Sequence, residues 1–373
     1  MTATPRVAVF FDEIPFLGDP NGGIARANVA LAKELGACGL PVLALGFRCS
    51  CFLAESLRTR PSGVWLMVPW VLRKSSLLRN LVRRTAFWIF RRRLGSGFRV
   101  VYHSVGIGSD SWIAQRSDAH VVTIHDCIPE RLDSPRRKTK TSAIHQRKES
   151  LQTAQGLIWV SGKTRRDFRR FYPSVSLPGR VVGHGKSLHP LPDTSSKKRE
   201  HFLLVGNRQG YKNAVTVYRA LTLFHPKVRP RLQLVGGGPP SPEERQLWKD
   251  LGITRSVRWA RCTERELSWM YARAIAVLVP STIEGFGFPA LEAMTHGRAV
   301  ICLRHSGVDE VVGRAGLILK KNHERAFFKA MKYLLGISTR KKIEKEAALR
   351  AEMFDWHQAA EKIIFFYKQL LGP

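Results

Sequence analysis

Ser281-Thr-Ile-Glu284-Gly285-Phe286-Gly287-Phe288-Pro289-Ala-Leu291-Glu292-Ala-Met294 is the stretch on which the reading of this chain turns. The apolar run Ile275 to Val279 just before it reads as a buried strand. Pro289 to His296 reads as a helix, with proline in its first turn and Gly297 just past its end. The glycines therefore sit in a strand-to-helix loop. Such a loop lets backbone approach a ligand closely, and the helix start offers unpaired N–H groups and partial positive charge to a phosphate. Glu284 in the loop and Glu292 in or near the first helical turn flank that anion site. A carboxylate accepts two hydrogen bonds side by side, which suits the vicinal hydroxyls of a ribose or a sugar ring. Glycine loops before helices also serve architecture alone, and an acid near a helix start also offsets the helix dipole. The stretch by itself leaves both readings open.

Strand-like apolar runs alternate with helix-length segments from one end of the chain to the other, which predicts a doubly wound α/β architecture with parallel sheets. In such sheets ligands gather at the carboxyl ends of the strands. Val7 to Phe11 is a first strand, followed by Asp19-Pro-Asn-Gly22-Gly23 and a helix from Ile24. This glycine spacing is not that of a dinucleotide fold, so a redox nucleotide cofactor is not expected. Two further strands end at His103-Ser104 and at His125-Asp126. Ser161 reads as a helix N-cap. Prolines 173, 178, 190 and 192, with several Ser, Gly and Lys, mark a linker and domain boundary. Beyond it, the strand His201 to Val205 runs into Gly206-Asn-Arg208-Gln-Gly-Tyr211-Lys212-Asn213. Arg208 and Lys212 leave one strand end at close spacing before a helix, a pattern suited to a diphosphate.

Glu284-Gly-Phe-Gly-Phe-Pro-Ala-Leu-Glu292 resembles the E-x7-E signature of family 4 of the nucleotide-sugar glycosyltransferases, retaining enzymes of GT-B fold. Gly206 to Asn213 resembles the G-x-R-x-x-Y-K-N pattern of a branch of that family, and Gly22-Gly23 with Arg26 resembles its N-terminal glycine loop more loosely. The resemblance implies two Rossmann-like doubly wound domains facing a central cleft. It implies an acceptor-side domain over residues 1–180, a linker at 181–200, a nucleotide-sugar-binding domain over 201–355 and a terminal helix, 356–373, crossing back to the first domain. It further implies that Glu292 holds the ribose and that Arg208 and Lys212 hold the diphosphate. The backbone of Phe288 to Leu291 would meet its charge at the helix start, with Gly285, Phe286, Gly287, Phe288, Pro289 and Leu291 in the substrate-binding set. Glu284 and His125 would contact the transferred sugar, and Asp126 would orient the loop or the acceptor. Breaking the anomeric bond adds negative charge to the leaving phosphate, so cations there accelerate the step directly. No metal cofactor is expected, and no two aspartates are spaced D-x-D to bridge one to a diphosphate. The expected enzyme is a hexosyltransferase, with mannosyl transfer among the candidates, using a GDP- or UDP-sugar and a saccharide or lipid-linked saccharide acceptor in polysaccharide or lipopolysaccharide assembly.

Composition bounds the rest. The 373 residues suffice for two domains, and the formal charge of +32 calls for an anionic partner. Between Ser56 and Ser109 there is no acid at all but eleven Lys or Arg. Within that stretch, residues 69–94 interleave basic residues with Trp70, Leu77, Leu81, Trp88 and Ile89, as a basic amphipathic helix for an anionic membrane face would. A solvated basic face over an ordinary buried stripe accounts for the same pattern. The six cysteines are scattered and read as free thiols of a reducing cytosol, and no apolar run approaches a bilayer span. A cytoplasmic protein is expected, peripheral on the membrane's inner face if the basic segment docks. Two alternatives stand beside transfer: a basic nucleic-acid-binding protein, although no nucleic-acid module appears, and a GT-B sugar phosphorylase or epimerase.

Overall fold

The computed structural model describes residues 6–11, 22–47, 64–68, 75–105, 108–132, 137–188, 190 and 199–372. Asp19, Cys49, Cys51 and the part of the basic segment at 69–74 lie outside them. The chain divides into two compact units, Met1–Gly185 with Asp355–Pro373, and Lys186–Phe354.

The first unit is built on a seven-stranded sheet in the order β3-β2-β1-β4-β5-β6-β7. Its strands are β1 Arg6–Phe11, β2 Val42–Phe47, β3 Val64–Val68, β4 Phe98–Ser104, β5 Ala119–Ile124, β6 Gly156–Trp159 and β7 Gly179–Val181, all paired in parallel. Successive side chains of a strand point to opposite faces, and here both faces are covered, so β1 reads as an apolar run rather than an alternation. Ala8 and Phe10 pack with Phe87 and Phe90 of the Ser76–Leu94 helix on one side. Val7, Val9 and Phe11 join Leu31 and Leu35 of the Gly23–Ala37 helix on the other. The Trp356–Leu371 helix belongs to this second face, burying Ile363, Phe366 and Tyr367 there. Its first turn is capped by Asp355, which accepts the Gln358 N–H at 2.9 Å. His103 in β4 lies between the Tyr367 hydroxyl, 2.5 Å from Nδ1, and Thr123 Oγ1, 2.6 Å from Nε2. Burial, followed by the charges of His125 and His120, lowers its pKa to about 3, so it ties helix to sheet as a neutral ring.

In the second unit six parallel strands run in the order β10-β9-β8-β11-β12-β13. They are β8 His201–Val205, β9 Arg231–Val235, β10 Val257–Ala260, β11 Ala274–Val279, β12 Ala299–Leu303 and β13 Leu317–Leu319. β11 is wholly buried in the middle, its Val277 paired with Leu203 on one side and Val300 on the other. Chain progression runs outward from β8 in one direction and from β11 in the other. The carboxyl ends of β8 and β11 are therefore the switch point at which α/β sheets bind ligands. The loops leaving these two strands carry Arg208 to Asn213 and Glu284 to Gly287. Residues 182–188, between the two sheets, are packed: Val182, His184 and Leu188 are buried, and a Cβ on Gly185 would stand 2.4 Å from the Trp356 backbone nitrogen.

Candidate active site

At the switch point of the second unit, the two loops are stitched together. The Thr282 N–H donates to the Tyr211 carbonyl at 2.8 Å, and the Asn213 amide donates to the Pro280 carbonyl at 3.1 Å. The Lys212 ammonium donates to Glu284 Oε1 at 2.6 Å, with both side chains largely buried. Asn213 holds a left-handed conformation, φ 58°, that turns the chain from a short 3-10 segment, Gly210–Lys212, into the Ala214–Thr222 helix.

The Glu284 loop is fixed from the other side by the segment after β12. The Glu284 N–H donates to the Ser306 carbonyl at 2.5 Å. Gly307, at φ +98°, lies so close that a Cβ there would stand 2.2 Å from the Glu284 carbonyl oxygen. Gly287 is equally constrained: it is the N-cap of the Phe288–Thr295 helix at φ +100°, and a Cβ would stand 2.9 Å from Val308 Cγ2. Pro289 occupies the first turn, where its missing N–H costs nothing. Phe286 is buried and packs against Phe288 and Phe354, at centroid distances of 5.6 and 5.9 Å. Leu291 and Glu292 are buried, and the Tyr271 hydroxyl donates to Glu292 Oε2 at 2.6 Å. The structure thus brings Lys212, Glu284, the glycine loop and the Phe288–Thr295 helix start to one place.

Arg208, which the resemblance assigns with Lys212 to the diphosphate, has its partners in the structure within the protein. Its guanidinium is buried and makes a bidentate pair with Glu244, Nε to Oε1 at 2.8 Å and a terminal nitrogen to Oε2 at 3.0 Å. It also donates to the carbonyls of Gly236 and Gly238, at 2.8 and 3.1 Å. Four of its five N–H groups are therefore occupied within the protein. Burying an arginine without an acid is costly, and Glu244 is the acid that neutralises it. In the sequence the only trace of Glu244 is Ser241-Pro-Glu-Glu244, a helix-start pattern in which Ser241 caps the Glu244 N–H at 3.2 Å. Tyr271 and Ser306 also escape the sequence reading, because their roles are tertiary contacts with no local signature.

The remaining candidates belong to the first unit. His125, just past β5, is half-buried, stacks on His184 at a centroid distance of 5.4 Å and lines a small cavity of about 20 Å³ with Asn28 and Trp356. His184 in turn lies 5.4 Å from the Trp356 ring. Nε2 of His125 is buried and finds no hydrogen-bond partner among the described residues. Burial and then the Arg147 charge lower its pKa to about 4, so the ring is neutral at pH 7. Asp126 accepts the Ile128 N–H at 2.9 Å, an Asx turn that orients the loop after His125. Gly22 is the N-cap of the Gly23–Ala37 helix with ordinary extended backbone, φ −68° and ψ 160°, and Arg26 is half-buried one turn on. That pair of glycines is not required by a left-handed turn.

The structure also sorts the basic helix. Arg83 and Arg84 pair with Asp110, at 3.3 and 3.0 Å, and Arg91 pairs with Asp118 at 3.0 Å. Ala86, Phe87 and Phe90 form its buried stripe. A second apolar set faces outward: Leu77 is 81%, Leu81 62% and Trp88 51% exposed, with the Arg92 guanidinium 4.5 Å over the Trp88 ring.

Residues 199–336 match the family model described as Glycosyl transferases group 1. The chain is 27% identical over 290 residues to the O-antigen chain mannosyltransferase B of Escherichia coli, covering 72% of this chain and 74% of that protein. Among solved structures, sucrose-phosphate synthase from Thermosynechococcus elongatus superposes over 98% of both chains with a TM-score of 0.72 at 19% identity. Anabaena Alr3699/HepE, solved in complex with UDP and glucose, superposes over 98% of this chain and 100% of that one with a TM-score of 0.71 at 16% identity. At these identities the structural likeness is one of fold.

Proposed function

Because the chain is a glycosyltransferase of the GT-B fold, we propose that it moves a hexose from a GDP- or UDP-sugar to a saccharide acceptor, with retention at the anomeric carbon and without a metal at the diphosphate. The observation that carries this reading is the joining of the Lys212 and Glu284 loops at the β8/β11 switch point. In it, Lys212 meets the leaving diphosphate, and the N–H groups at the start of the Phe288–Thr295 helix add their partial charge. Glu292, braced by Tyr271, holds the ribose hydroxyls, and Glu284 accepts from the transferred sugar. Arg208 is a positioning residue that holds the Gly236–Gly238 turn. The resemblance also assigns Gly22, Gly23, Arg26, His125 and Asp126 of the first unit to the substrate-binding set, and neutral His125 has a buried Nε2 with which to accept from a sugar hydroxyl. The relative that acts in O-antigen chains supports an acceptor in lipopolysaccharide or polysaccharide assembly, and HepE, solved with UDP and glucose, supports a nucleotide-sugar donor.

Calorimetry with GDP, UDP and ADP tests the donor site. One nucleotide is expected to bind selectively, with an affinity that survives high salt and falls at least tenfold in Glu292→Ala. Weak, unselective binding that vanishes with salt would leave only a basic surface and overturn the reading.

The outward Leu77, Leu81 and Trp88, with Arg92 over the Trp88 ring and Arg93 in the same last turn, favour a second element of the proposal: this helix face rests on an anionic membrane, where each surface-proximal basic residue contributes roughly 1 kcal/mol. Arg84 and Arg91, already paired with acids, contribute less. The full chain is expected to sediment with phosphatidylserine-containing vesicles at low salt, and Arg92→Glu with Arg93→Glu to weaken this by tenfold or more. Undetectable binding of the unmodified protein would remove the membrane element while leaving transfer intact.

A further inference from the structure

The last turn of the Gly23–Ala37 helix and the first turn of the Trp356–Leu371 helix bring together four side chains that the transfer chemistry does not use. Glu34 lies in the last turn of one helix with Cys38, its C-cap, four residues on, and His357 and Glu361 stand four apart on the other. That spacing places each pair on one face of its helix. His357 Nδ1 lies 2.9 Å from Glu34 Oε1 and 3.7 Å from Cys38 Sγ, and the three donor atoms lie within 4.8 Å of one another.

We propose that Glu34, Cys38 and His357 form a zinc site that clips the C-terminal helix to the first unit. In a tetrahedral zinc site, bond lengths near 2.3 Å to sulfur and 2.0–2.1 Å to nitrogen and oxygen set donor separations of about 3.6 Å for sulfur to nitrogen and about 3.3 Å for nitrogen to oxygen. The two separations from His357 Nδ1, 3.7 and 2.9 Å, lie within a few tenths of an ångström of these values, and the third pair of donors lies within 4.8 Å. The mixed thiolate, imidazole and carboxylate set selects zinc over magnesium or calcium. A second feature points the same way. Ring nitrogen Nε2 of His357, the one turned away from the cluster, faces Glu361 Oε1 at 3.7 Å. That distance exceeds a hydrogen bond, but a change of rotamer on the same helix face would let Glu361 accept from Nε2 and orient the ring as carboxylates do behind metal-binding histidines.

Zinc binding would release the thiol proton and any imidazolium proton to solvent, leaving Zn²⁺ balanced by one thiolate and one carboxylate. Glu34 and Cys38 are half-exposed and His357 is exposed, so a water completes the tetrahedron from the solvent side. The clip would secure a helix whose Phe366 and Tyr367 belong to the core of the first unit. It is independent of the donor site in the second unit.

The test uses the full chain after chelation. Titration with Co²⁺ is expected to give tetrahedral visible bands and a thiolate-to-metal charge-transfer band at one equivalent, displaced by Zn²⁺, and Zn²⁺ alone is expected to raise Tm by several degrees. Cys38→Ser should abolish the charge-transfer band, His357→Gln should weaken zinc binding at least tenfold, and Glu361→Gln should weaken it 10–100-fold with the band retained. Each variant's melting in chelator should match the parent, since the metal-free fold is unchanged at this exposed corner. A parent protein without the charge-transfer band, or a band that persists in Cys38→Ser, overturns the proposal.

Discussion

Lys212→Ala is expected to lower kcat by about 10²–10³-fold, the cost of removing one preorganised group from a developing charge, about 2.7–4 kcal/mol. When the bond between the anomeric carbon and the diphosphate breaks, the leaving group gains negative charge, and a cation whose contact tightens at that moment stabilises the transition state more than the bound substrate. The proposed function gives Lys212 such a role. Its loop is pinned by the Thr282 to Tyr211 and Asn213 to Pro280 bonds, and its ammonium is held at 2.6 Å by Glu284. Little reorganisation is then needed when the donor arrives. Lys212→Arg should recover only part of the rate, since a planar fork does not reproduce a compact ammonium. The alanine variant also leaves Glu284 largely buried without its cation, so its melting temperature should be read alongside, with Glu284→Gln as the control for the lost pair. The informative quantity is the division between kcat and KM. A rise in KM with kcat unchanged would assign Lys212 to ground-state binding and sink the transition-state role.

Much of this was legible because parallel sheets advertise themselves. The strand read at Ile275 to Val279 is β11, Ala274–Val279, and the helix read from Pro289 begins one residue earlier at Phe288. A strand buried on both faces is an unbroken apolar run, and a loop that must turn sharply into a helix shows its glycines. That the Lys212 and Glu284 loops would meet was readable only through the resemblance, since 72 residues separate the two side chains. What brings them together is strand order, with β8 beside β11. Composition misled in one respect. Net charge treats all arginines alike, whereas the fold gives Asp110 to Arg83 and Arg84, Asp118 to Arg91, and leaves Arg92 lying on Trp88. Net charge is equally silent on the acid that pairs with Arg208. Its counter-charge lies 36 residues away on the Pro242–Asp250 helix, and no local pattern connects them.

Glu244→Ala is for this reason expected to destabilise the second unit by about 3–5 kcal/mol, the cost of leaving one member of a buried ion pair without the other. Two groups lose their acceptor at once: the Arg208 guanidinium and the Tyr218 hydroxyl, which donates to Glu244 Oε1 at 2.5 Å. Burial alone would raise the Glu244 pKa, but the hydrogen bonds from Arg208 and Tyr218, with the Arg208 charge, outweigh it and hold the carboxyl below its ordinary 4.5. A carboxyl whose folded pKa is depressed contributes stability that is complete above its unfolded value and is lost as pH falls through the folded one. The difference between parent and variant in urea unfolding should thus be full at pH 7 and shrink below about pH 4.5. Arg208→Met with Glu244→Leu should cost much less than the sum of the single changes, because the pair is removed together and no lone charge stays buried. The same variants decide what Arg208 does for the donor. If it only positions the Gly236–Gly238 turn, the double variant keeps nucleotide affinity within a few-fold. If Glu244→Ala instead folds with undiminished stability and binds nucleotide more tightly, Glu244 competes with the diphosphate for Arg208, and the arginine returns to the substrate-binding set.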